Sequence, residues 1–164
     1  MGIPFEVRPA NVEELTEGDP GVVVAENALR KAMAVPGEFV LGADTIVALD
    51  GEVLGKPRDA AQAREYVSRL NGRTHEVVGG VGVAERGEMT IVFHEITRVR
   101  FRDAGEATLD WYVATGEWEG RAGGYAIQGA GAALVGGIEG DYLNVVGLPL
   151  ARLLDLRPDL LGTP

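Results

Sequence analysis

The run Glu38-Phe39-Val40-Leu41-Gly42-Ala43-Asp44-Thr45-Ile46-Val47-Ala48-Leu49 is rich in Val and Ile, breaks polarity once at Asp44-Thr45, and closes on Asp50-Gly51. It reads as a buried β-strand with one polar break, closed by a turn signal. On its N-terminal side, Asp19-Pro20 is an N-cap with proline at the first helical position, and Val22, Ala25, Leu29, Ala32 and Met33 fall on one helical face. Pro36-Gly37 ends that helix. On its C-terminal side, Asp59 caps a second helix in which Ala63, Tyr66, Val67 and Leu70 form an i, i+3, i+4, i+7 stripe stopped at Gly72. His75 to Ala84 and Met89 to Phe101 predict an antiparallel pair, with Ile91, Phe93, Val99 and Phe101 sharing a face. A short helix follows over Glu106 to Thr115, and Pro149 opens a last one with Leu150, Leu153 and Leu154 inward. Helices interleaved with strands predict a single α/β domain with a mixed, twisted β-sheet flanked by helices.

Composition narrows what such a domain can do. The 164 residues are 46% hydrophobic and 24% charged, with mean hydropathy +0.05, values of an ordinary globular chain. Acidic residues number 25 against 15 basic, and the net charge of −10 argues against a nucleic acid polymer or an anionic membrane as partner. With no cysteine there is no disulfide or thiolate site, and His75 and His94 alone make no zinc cluster. Any metal must be hard and carboxylate-bound. No run approaches 18 apolar residues, and Met1-Gly2-Ile3-Pro4-Phe5-Glu6 does not look like a signal peptide, so the expected location is cytoplasmic. The 24 glycines are about twice the usual share of roughly 7%. Ten of them crowd between Gly116 and Gly147.

Three features could carry chemistry. Asp44 is a carboxylate inside an apolar strand, which is costly unless paired, so it is either a functional acid or one that hydrogen-bonds a nearby turn. Gly51-Glu52-Val53-Leu54-Gly55-Lys56-Pro57 is one residue short of a phosphate-binding P-loop, and Pro57 stands where a Mg²⁺-ligating hydroxyl belongs. Lys31 and Lys56 are nonetheless the only lysines, and a flexible point-charge donor suits a phosphate oxygen as well as it suits solvent. Glu13, Glu14, Glu26 and Asp44 all offer the oxygen that Mg²⁺ prefers, and spacing does not choose among them. The third feature, Arg121 to Gly131, lets a ligand approach the backbone closely, and Gln128 has the donor and acceptor needed to read a nucleobase edge. Tight packing around bends would read the same way.

Five motifs, in order, resemble the Maf nucleotide pyrophosphatases. They are Gly42-Ala43-Asp44-Thr45; Leu49 to Pro57; Leu70-Asn71-Gly72-Arg73-Thr74-His75; Gly123-Gly124-Tyr125-Ala126-Ile127-Gln128-Gly129; and Gly140-Asp141-Tyr142-Leu143-Asn144-Val145-Val146-Gly147-Leu148-Pro149. The resemblance implies a nucleoside triphosphate pyrophosphatase that uses a divalent metal cation, Mg²⁺ or Mn²⁺, and releases a nucleoside monophosphate and pyrophosphate. It implies Asp44 as general base, Lys56 neutralising the triphosphate, Glu14 as a catalytic or metal-coordinating acid beside Asp44, and Lys31 near the phosphates. Thr45 and Gln128 match the branch that acts on dTTP and UTP, and modified pyrimidine nucleotides belong with that expectation. Arg121 keeps the positive charge of the family's Asp-Lys pair, whereas Gly120 replaces its acid. Family members often pair, which allows a homodimer.

Family members also open with a strand and a Ser-x-Ser-Pro-Arg-Arg loop ahead of the Gly-Ile-Pro-Phe seen here as Gly2 to Phe5. Against them, the expectation is one Maf-like domain over residues 1–164 that is N-terminally truncated. Three readings stay open: an active enzyme, a catalytically impaired nucleotide-binding or cell-division regulatory protein, and a reading frame whose start was placed too late.

Overall fold

The computed structural model describes residues 4–161, so Gly2 and Ile3 of the quoted N-terminal motif lie outside it. Helix α1 (Pro20–Ala34) begins where proline requires, with the Asp19 carboxylate accepting from the Val22 N–H at 3.1 Å. Strand β1 (Phe39–Leu49) turns at Asp50-Gly51, both at positive φ as a two-residue hairpin demands, into β2 (Glu52–Leu54). Helix α2 (Ala60–Leu70), strands β3 (Thr74–Glu85) and β4 (Glu88–Phe101), and helix α3 (Glu106–Ala114) then follow close to their expected bounds. Beyond the glycine-rich turns come β5 (Val135–Glu139), α4 (Tyr142–Val146) and α5 (Leu150–Leu156). Neither β2, β5 nor α4 was expected; each is five residues or fewer.

The sheet order is β2-β1-β3-β4-β5 and every pairing among the described residues is antiparallel, which corrects the mixed sheet expected from the interleaving. The reason is topological. The β2-α2-β3 crossover does run two strands the same way, but β1 lies between them, so no two neighbours are parallel. The α/β architecture itself holds.

Each face of the sheet is covered differently. One carries Val47, Leu49, Val77, Val99 and Phe101 under α2 and α3, whose Val67, Leu70, Leu109 and Tyr112 are fully buried against them. At about 1.5–3 kcal/mol per large apolar side chain, this is the main source of stability. The same face extends through Val81 and Val83 to Leu153 of α5.

Helix α1 lies across the other face, and here the expected phase was wrong. Its buried residues are Gly21, Val23, Val24, Asn27, Ala28 and Ala32, while Val22 and Met33 are 62% and 45% exposed. Close approach decides the phase. A Cβ at Gly42 would lie 2.2 Å from the Ala28 carbonyl oxygen, and one at Gly80 2.1 Å from that of Val24, so the helix backbone rests directly on strand glycines. Only the side with small residues can approach that closely.

Candidate active site

That phase carries Asn27 and Lys31 towards β1, because Val24, Asn27, Ala28 and Lys31 recur at i, i+3, i+4 and i+7. Lys31, which the sequence left open between a phosphate and solvent, therefore points into the molecule. Its Nζ lies 2.7 Å from Asp44 Oδ1 and 2.7 Å from Glu14 Oε1. Asn27, only 2% exposed, donates from Nδ2 to Asp44 Oδ2 at 3.0 Å. Both oxygens of Asp44 thus accept a hydrogen bond, which answers the cost of placing a carboxylate in this strand. Burial works against the Lys31 ammonium, but the hydrogen bonds and charges of Asp44 and Glu14 outweigh it and hold its pKa above the usual lysine value.

Asp44 opens into a cleft of about 690 Å³ that also reaches Lys31, Thr45, Lys56, Arg121 and Gln128. Drug-sized and cofactor ligands typically take clefts of roughly 300–1,000 Å³, and this one lies within that range. Strand β2 pairs with β1 only at Val47, Ala48 and Leu49; among the described residues, 39–46 have no strand on that side. Asp44 and Thr45 point to opposite faces of the strand, and the cleft wraps round this open edge to reach both. Lys56 and Gln128 are exposed within it.

The far wall is built from loops. Gly123 N–H donates to the Gly55 carbonyl at 3.0 Å, tying the Lys56 loop to the glycine-rich turns. Tyr112 Oη accepts from Ala126 N–H at 3.1 Å, and a Glu117 carboxylate oxygen accepts from Gly131 N–H at 3.3 Å, so the turn holding Gln128 is pinned on both sides. Beneath it, Tyr125 Oη and His75 Nε2 are 2.8 Å apart, and both rings stand edge-on to Phe101. Burial pushes the His75 pKa down to about 4, so this imidazole is neutral.

Of the acids that spacing could not separate, Glu14 joins the cluster, Glu26 is paired with Arg30 at 2.8 Å, and Glu13 stays on the surface. Asn27 and Glu117, both parts of this site, were missed, and the Val145-Val146-Gly147 segment was quoted within a family motif but given no place in the site. A polar residue in phase with Val24 and Ala28 was the available signal for Asn27; nothing local marked the others.

The donor set fits a hard divalent ion. Two carboxylate oxygens already converge on one cationic nitrogen, and they are the oxygen type Mg²⁺ and Mn²⁺ prefer. Among the described residues no group of three or more acidic or histidine side chains converges, so the remaining ligands would be phosphate and water.

An antiparallel α/β domain whose cleft joins a carboxylate–lysine–carboxylate cluster to an exposed lysine and an amide defines a class, and comparison with known proteins gives it a family. The profile of the family described as Maf-like protein matches residues 1–158. The chain belongs to this family. A relative from Symbiobacterium thermophilum named dTTP/UTP pyrophosphatase is 50% identical over 162 residues, 95% of this chain and 83% of the relative. Proteins of the same name from Anaeromyxobacter sp. and Pyrococcus furiosus are 51% and 46% identical, covering 95% and 92% of this chain and 79% and 82% of their own length. No helix among the described residues is long and apolar enough to cross a membrane.

Proposed function

We propose that this chain is a nucleoside triphosphate pyrophosphatase for dTTP, UTP and modified pyrimidine triphosphates, working in the cytoplasm. The observation that carries the reading is the placement of Asp44: a carboxylate in the cleft, bonded to Lys31, which in turn bonds Glu14.

The residues divide the work as follows. Asp44 takes a proton from the attacking water as its oxygen bonds to the α-phosphorus and the bond to the β-phosphate bridge breaks, releasing pyrophosphate. Lys31 and Lys56 bring positive charge to the phosphate oxygens, where substitution at phosphorus needs it most. A divalent ion held by Glu14 and Asp44 would supply further charge neutralisation there. Thr45 and Gln128 face the nucleoside, and the Gln128 amide can pair with both the carbonyl and the ring N–H of a uracil or thymine edge.

The test is pyrophosphate release from a nucleotide panel with Mg²⁺ or Mn²⁺. We expect turnover of dTTP and UTP, and a loss of about 1,000-fold in kcat for Asp44→Asn, the range for a positioned general base. Nucleotide affinity without turnover would favour a binding or regulatory protein, and an Asp44→Asn variant as active as the parent would remove the assigned base.

A further inference from the structure

We propose that Asn27 is a positioning residue for this reaction: its amide aims the Asp44 carboxylate and fastens the Glu14 segment beside it. The proposal rests on the assignment of Asp44 and Glu14 to the chemistry.

Asn27 is buried on α1 and makes three hydrogen bonds. Its Oδ1 accepts from Leu15 N–H at 2.7 Å, and its Nδ2 donates to the Leu15 carbonyl at 3.0 Å and to Asp44 Oδ2 at 3.0 Å. The two backbone contacts decide which way the amide faces. A backbone N–H requires an acceptor and a carbonyl requires a donor, so oxygen and nitrogen cannot exchange places. One Nδ2 proton then remains, and it meets Asp44. With Lys31 on Oδ1, the carboxylate is gripped at both oxygens and cannot swivel.

The same amide organises Glu14. Residues 4–18 contain no helix or strand, so their place depends on side-chain contacts with α1. Those contacts include Arg30 to the Glu13 carbonyl at 3.0 Å, Lys31 to Glu14, and the two hydrogen bonds between Asn27 and the Leu15 backbone. Arg30 acts at the surface, whereas Asn27 acts from the buried side of the helix. Because α1 rests on strand glycines, Asn27 is a fixed point shared by the two acids.

The experiment compares Asn27→Ala and Asn27→Asp with the parent and with Asp44→Asn. Asn27→Asp keeps the shape and the acceptor for Leu15 N–H but removes both Nδ2 donor bonds, to Asp44 and to the Leu15 carbonyl, and sets a second carboxylate against Asp44. We expect kcat for dTTP to fall about 100-fold in both Asn27 variants, the size of effect that misplacing a reacting group by an ångström produces. KM should stay within about threefold, since Asn27 does not line the cleft and Thr45, Lys56 and Gln128 are untouched. A readout free of turnover is the Asn27 side-chain NH₂ pair in ¹⁵N-labelled protein: both protons should exchange slowly, and Asp44→Ala should shift one and leave the other. Variants with normal kcat while Asp44→Asn is inactive overturn the positioning role alone. A loss that appears as raised KM, or that follows the unfolded fraction, overturns it too. An active Asp44→Asn sinks the functional reading instead, and the NH₂ signals still judge the clamp; freely exchanging protons would dismiss it. If Asn27→Ala does not fold, Asn27→Asp and the NH₂ signals decide.

Discussion

The two sides of the cleft are built in opposite ways. On the α1 side, Asp44, Lys31, Glu14 and Asn27 hydrogen-bond one another, and the helix that carries two of them sits against backbone. On the loop side, Lys56 and Gln128 are exposed, one in a loop and one within a turn, and what is pinned there is main chain rather than the functional groups. Under the proposed function, the difference is a division of labour. Groups that meet the reacting atoms must already be in place, because misplacing them costs rate, whereas groups that recognise a variable ligand can be ordered by it.

The sharpest way to break this contrast is to lift α1 off the sheet. Gly80→Ala puts a Cβ 2.1 Å from the Val24 carbonyl oxygen and 2.3 Å from its carbon, and backbone cannot step aside as a side-chain tip can. We expect a loss of about 3 kcal/mol in urea denaturation, at the upper end for an overpacked core, together with loss of turnover. Gly120→Ala is the matched change on the loop side. It meets nothing within 4 Å and departs only from a φ of +69°, so about 1 kcal/mol and near-normal turnover are expected. Equal effects from the two would end the distinction.

The loop side has a buried foundation of its own in His75 and Tyr125, and acid reaches it. The native His75 pKa of about 4 lies below the ordinary 6.5, so between those values the unfolded chain binds a proton that the native one refuses. Stability from this group is complete above pH 6.5, declines as pH falls towards 4, and is flat below. The total is about 3 kcal/mol, from about 1.4 kcal/mol per pKa unit. Urea midpoints at pH 7.5, 5.5 and 4.5 for the parent and His75→Gln test this: the difference between the two proteins should shrink through that window. A difference independent of pH would show that His75 is not held neutral.

Legibility followed locality. Strand β1 and Asp44 could be read from a Val- and Ile-rich run with one polar break, and α2 from its stripe and Asp59 cap. The phase of α1 was misread because counting apolar residues favoured Val22 and Met33, when the deciding fact, glycines at Gly42 and Gly80, lies far along the chain. Once that phase is set wrongly, Lys31 fits solvent as well as a site, and Asn27 is invisible. Strand β5 was lost in Val135-Gly136-Gly137-Ile138-Glu139, whose glycines mask any alternation. The meeting of Glu14, Lys31 and Asp44 joins an irregular segment, a helix and a strand across 30 positions of sequence, so no periodicity could show it, and the family resemblance alone supplied the pairing.

The smallest expected effect tests the loop side where the proposed function brings phosphate to it. Lys56 follows β2 in a loop whose backbone is held by Gly123 N–H on Gly55 and by the buried Pro57, yet its own side chain is exposed in the cleft. An ammonium presented this way acts as a mobile point charge, gaining its energy from the ligand it meets rather than from a preset geometry. Lys56→Met should therefore raise KM for dTTP about tenfold, or about 1.4 kcal/mol, with kcat within about threefold of the parent. Because an exposed charge is screened, the penalty should shrink as salt rises from 0.05 to roughly 0.5 M. Lys31→Met ought to behave in the reverse sense, lowering kcat by leaving Asp44 and Glu14 to repel each other. If steady-state kinetics instead show Lys56→Met acting mainly on kcat and indifferent to salt, then Lys56 is as firmly placed in the bound enzyme as Asp44, and preorganisation extends across the whole cleft.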